Sequence, residues 1–162
     1  TDAKPDAKPS QAVNPDATPE PLLATLSIMS LELRASLLAS AKNLPEAKRL
    51  FTQAEHEEKQ LGYREPPGYI RPVAETEGLT LLRAGDAASA HAAFARALAD
   101  RPNSGLALYG MARSSEAAKN QQQARDEYAK FLDAWQHADS SSPELSHARD
   151  YLKGQPINAS LH

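Results

Sequence analysis

Four of the five histidines, His56, His91, His137 and His147, are the side chains best suited to move a proton or hold a metal near neutral pH. They fall on four different predicted helices. His56-Glu57-Glu58 lacks the second histidine that a zinc peptidase needs one turn further on, so two ring nitrogens cannot share one helix face there. We read all four as solvent-facing. The charged run 55–59 reads as the solvated end of a helix, and a pair of acids without a pocket is poor support for acid–base chemistry. No serine or threonine sits in a nucleophile elbow, and no glycine-rich loop could cradle a phosphate. With no cysteine there is neither a thiolate ligand nor a disulfide. The expectation is a non-enzyme with no catalytic residue, metal or cofactor.

Composition narrows the class further. The net charge of -3 is small and the signs are interspersed, which leaves no basic footprint for nucleic acid. No run approaches ~18 consecutive apolar residues, so no membrane span is expected. Only 6% of residues are aromatic and seven are glycine, while alanine is abundant, a balance that favours closely packed helices over a sheet. The chain opens on Thr1, which we read as a sign of processing, any targeting peptide having been removed.

Residues 1–20 read as a disordered tether. Asp2-Ala3-Lys4-Pro5 recurs as Asp6-Ala7-Lys8-Pro9, Pro15 and Pro19 follow, and there is little apolar bulk to bury. From Leu22 the pattern changes. Leu22, Leu26, Met29, Leu33 and Leu37 step by three or four residues, and Leu23, Leu31 and Leu38 widen the stripe into what reads as a broad buried helix face. Asn43, with Glu46 in capping-box position, opens a second helix carrying Ala47, Leu50, Phe51 and Ala54. Further helices are expected over 72–84, from Asp86 to before Pro102, from Ser104 to about 119, from Asn120 (with Gln123 in capping-box position) to about 137, and from Pro143 to 153. The tail 154–162 reads as flexible. Asn158-Ala159-Ser160 matches the glycosylation pattern and carries no weight by itself.

Superimposed on these helices is a repeat. Gly78, Ala90, Phe94 and Leu98 recur 34 positions later as Ala112, Ala124, Tyr128 and Leu132. Helices crossing at ~8–10 Å need a small residue where the backbones meet, with a large one beside it. An earlier unit supplies Ala35, Ala47, Phe51 and Ala54, and the 43 residues from Ala47 to Ala90 place a nine-residue insertion at 62–70. This pattern resembles the tetratricopeptide repeat (TPR), with units at about 28–61, 71–104 and 105–138 and a capping helix at 143–153. Glu77 and Ser115 stand where that family has apolar residues, and Gln136 where it has proline. The stretch from Tyr63 to Val73 is also similar to the segment preceding the last repeats of long bacterial TPR proteins.

The resemblance implies an all-α, right-handed solenoid of three helix pairs spanning 21–153, with the first helix of each pair lining a concave groove. Groove candidates are Glu32 and Ser36, then Glu75, Leu79 and Leu82, then Tyr109, Arg113 and Glu116. Ala35, Ala47, Phe51, Gly78, Ala90, Phe94, Ala112, Ala124 and Tyr128 are the expected packing residues. Family members that grip a C-terminal carboxylate use cationic or amide side chains in the groove. Here Arg113 stands alone and Glu32 and Glu75 would repel such a tail. Tyr63 and Tyr69 either form an aromatic patch or pin the insertion; we favour pinning. The expected function is non-catalytic binding of a peptide or partner protein in the groove. Two alternatives stay open: a homodimerisation module using the leucine-rich first helix, or the accessory domain of a larger enzyme. The leader resembles the tether behind a cleaved export signal, which favours the bacterial periplasm over the cytoplasm.

Overall fold

The computed structural model describes residues 20–62, 71–138 and 142–154. Among them all regular structure is helical, in seven helices and no strand: α1 Glu20–Ser40, α2 Leu44–Gln60, α3 Val73–Ala84, α4 Ala87–Asp100, α5 Gly105–Ala117, α6 Gln121–Ala134 and α7 Pro143–Lys153. The expected elements are all present; α6 stops three residues short of the expected 137.

Three of the connections are one structure used three times. Lys42, Gly85 and Lys119 each take a left-handed conformation, at φ of 64°, 92° and 61°. After each, an amide reaches back to a carbonyl five residues earlier: Asn43 to Leu38, Asp86 to Leu81 and Asn120 to Ser115, all at 2.9 Å. This closure satisfies carbonyls that a helix end leaves bare. Only the middle turn uses glycine, for which a positive φ costs nothing sterically. The start signals are less uniform. Asp86 and Ser104 accept the amides of Ser89 and Ala107 as expected of caps. Asn43 and Asn120 make no such bond; the reciprocal half of the box is also missing, since the two asparagine backbone amides are already bonded to Leu38 and Ser115, Glu46 pairs with Arg49 and Gln123 accepts from the Asn120 side-chain amide. The two expected capping boxes are therefore not formed.

Helices pack in chain order. α1 lies on α2, α3 on α4 and α5 on α6, while α3, α5 and α7 each also meet the second helix of the pair before. The core reflects this. Ile28, Leu31, Ala35, Leu50, Phe51 and Ala54 are sealed by Val73 of α3. Leu81, Ala90, Phe94 and Ala97 are sealed by Ala107 of α5. Ala112, Ala124, Tyr128 and Phe131 are sealed by Leu145 and Ala148 of α7. No pair buries its apolar face alone, so each depends on its neighbour.

All nine expected packing residues are buried. Phe94 is the tightest case. Its ring lies so close to Gly78 and Gly110 that a Cβ on either glycine would fall 2.7 and 2.4 Å from ring carbons. The expected orientation of α1, by contrast, is reversed. Ile28, Leu31, Ala35 and Ala39 face the core, while Leu22, Leu26, Met29, Leu33 and Leu37 face outward. Leucine occurs nearly all round this helix, so periodicity alone could not say which side has neighbours.

Candidate functional site

The expected groove residues are largely spent on internal contacts. Glu32 and Glu75 are buried. Burial pushes the Glu32 carboxyl above the ordinary range, opposed by a hydrogen bond with Thr76 and the charge of Arg71. Ser36 and Thr80 pair at 3.3 Å one turn on, so polar side chains stitch α1 to α3. Glu75 accepts the Ser104 hydroxyl at 2.5 Å, and Ser104 accepts the Ala107 amide at the start of α5. Glu75 thus orients a helix cap. Leu79 is half-buried against the middle core cluster. None of these three is the open contact expected of it, because neighbouring first helices approach closely enough to pair their inward side chains.

Tyr109, Arg113 and Glu116 come together, but α7 meets them there. Glu116 accepts the Tyr128 hydroxyl, His147 Nε2 lies 2.9 Å from its carboxylate and Arg113 contributes a 3.2 Å ion pair. Burial raises this carboxyl, yet the bonds from His147 and Tyr128 and the charge of Arg113 outweigh it and hold Glu116 below the usual range. Burial pushes the Tyr109 hydroxyl up to about 12. Burial and the bond to Glu116 raise Tyr128 as well. The rings of Tyr109 and His147 meet edge to face at 5.9 Å. His147, expected to face solvent, keeps only 14% of its side chain exposed. It lies 34 residues after Arg113, and extending the repeat into α7 would have found it.

Other expectations fail for a related reason. His91 lies 2.7 Å from Glu127, which also accepts the Ser115 hydroxyl at 2.6 Å and the Gln123 amide at 3.0 Å. The serine in place of an apolar residue thus serves a polar network joining α4, α5 and α6. The charged end of α2 is not simply solvated. Glu58 accepts the Val73 amide at the start of α3, with burial raising its carboxyl. Glu55 shares Arg96 with buried Glu77. From the sequence, Trp135 with Phe131 and Leu132 is expected to cover the junction to α7, but Trp135 lies elsewhere. It stacks on Phe131 and lies across Gly105, its Nε1 donating to the Asn103 carbonyl at 3.4 Å. Tyr63 and Tyr69 lie outside the described residues, as does Asn158.

What remains open is the outer face of α1. Leu22, Leu23, Leu26, Met29, Leu33 and Leu37 keep 48–63% of their surface exposed. Ser27, Ser30 and Ser40 share the face, with Arg34 as its one charge. Where no membrane span is expected from the sequence, residues 22–40 are long and apolar enough to cross one by length and composition alone, although the inner side is packed on α2 and α3. Among the described residues no three histidine, aspartate or glutamate side chains converge as a metal site. No family model, curated protein or solved structure matches the chain.

Proposed function

We propose that this chain is a non-catalytic protein-interaction module: three TPR-like helix pairs in a right-handed solenoid, closed at one end by α7 and docking a partner protein at the other through α1. Three identical turns separated by 43 and 34 residues support the repeat reading. So does the sealing of each core cluster by the following helix. The observation that carries the function is the unpartnered apolar face of α1, six large side chains about half exposed in one stripe. Apolar patches of this extent on a folded domain mark interaction surfaces. The groove is the weaker surface, since Glu32, Glu75, Arg113 and Glu116 already have internal partners.

The proline-, alanine- and lysine-containing residues 1–19 support a periplasmic or secreted location. The test of function is Leu26→Glu with Leu33→Glu. Both side chains face outward, so the fold should survive, as far-UV circular dichroism would show. Association with the native partner, read by co-purification and mass spectrometry from the source cells, should be lost. A folded double variant that retains every partner would move the docking surface away from α1.

A further inference from the structure

The spacing of the exposed residues on α1 specifies what the face accepts. Reading the stripe from either end gives nearly the same pattern: Leu22 matches Leu37, Leu26 matches Leu33, and Met29 and Ser30 straddle the centre. A stripe that repeats when reversed is complementary to itself across a two-fold axis perpendicular to the helix. Resting on the reading of α1 as the docking face, we infer that its occupant is a second copy of this chain, with the two α1 helices antiparallel and the axis between residues 29 and 30.

The charge pattern agrees. Arg34 is the one charge that α1 contributes to the face, and Glu46 of α2 already lies within electrostatic reach of it, so nothing there calls for an oppositely charged partner. In the antiparallel pair the two Arg34 positions lie about 13 Å apart along the axis at 1.5 Å rise per residue, and so do not confront each other. Area agrees as well. Six side chains about half exposed present roughly 600 Å² of apolar surface per copy, near the upper end for patches on monomers. Pairing two copies would bury up to about 1,200 Å² from these side chains, which reaches the lower bound of standard specific interfaces. The chain's own leader is a poor cover: apart from alanines, residues 1–19 hold one aliphatic side chain, Val13. A bilayer is a poorer match than a protein, because a helix lying in an interface usually rims its apolar face with several cations and this one has only Arg34.

The absence of cysteine makes the geometry directly testable in the full chain. Sedimentation at 1–100 µM should show a dimer, and Leu26→Glu with Leu33→Glu should weaken it at least 100-fold. Under mild oxidation with copper phenanthroline, Ser30→Cys should form an intermolecular disulfide, since that position meets its own mate at the axis. Ser40→Cys should not, because in the antiparallel pair it lies about 30 Å from its mate. Cross-linking through Ser40→Cys would indicate a parallel pair and overturn the inference. Binding to phosphatidylcholine–phosphatidylglycerol vesicles in place of dimerisation would overturn it too. A monomer that loses its native partner in the double glutamate variant would overturn self-pairing and leave the docking face standing. A monomer whose partners ignore that variant would end both.

Discussion

Gly110→Ala should destabilise this protein, although alanine is the better helix former. In an exposed helix interior the substitution gains about 1 kcal/mol, because glycine loses more backbone freedom on folding. Here the new methyl would stand 2.4–2.6 Å from three carbons of the Phe94 ring, about 1 Å inside ordinary contact. The ring is fully buried and also rests on Gly78, so it has no open side to move toward. Overpacking a core in this way costs about 1–3 kcal/mol, which makes the net change about 0–2 kcal/mol destabilising. The decisive measurement is a double-mutant cycle with Phe94→Leu, read by urea unfolding at one fixed protein concentration so that self-association does not intrude. Phe94→Leu alone should cost on the order of 1–3 kcal/mol. With the ring gone, Gly110→Ala should become stabilising by up to about 1 kcal/mol, giving a coupling of about 1–3 kcal/mol between the two sites. If Gly110→Ala stabilises both backgrounds equally, Phe94 does not seat on α5, and the account of the core given above is wrong.

Four further outcomes follow from particular contacts. Ala124→Arg, at a fully buried crossing, should cost several kcal/mol and lower the melting temperature by ten degrees or more, through overpacking and an unpaired charge; a melt within a degree of the parent would refute the register. Lys119→Gly should stabilise by roughly 0.5–1 kcal/mol in chemical denaturation, since lysine there adopts a positive φ that glycine tolerates better. Gly105→Ala would place its methyl 2.1 Å from Trp135, which is 38% exposed and free to swing out; the sole tryptophan should shift its emission to the red with less than about 1 kcal/mol lost. Glu58→Gln tests the pH dependence. A carboxyl raised in the folded state favours folding most below its unfolded value of 4.5 and progressively less as pH rises through its folded value, so the variant should exceed the parent in stability at neutral pH and converge with it below pH 4.5.

The sequence read alone was informative wherever the determining chemistry is local. Gly85 ends α3 and Asp86 starts α4 because both act within one turn of backbone. The alternation of small and aromatic residues at 34-residue spacing picked out Ala90, Phe94, Ala124 and Tyr128, each of which is fully buried. It could not rank the sides of α1, where leucines surround the helix and only the placement of α2 and α3 decides which become core. Nor could it tell that Glu32, Glu75 and Arg113, charged side chains at nominally open positions, would be engaged by Thr76, Ser104 and His147. Burial of a charge depends on partners contributed by another helix, and those partners are set by inter-helix distance. Helix content, turn positions and the small-residue crossings were therefore determined by the chain itself. The exposed face of α1, and the closing of the third pair's polar side by His147 of α7, were decided by packing, because surface is removed from water only by a neighbour that tertiary structure brings there.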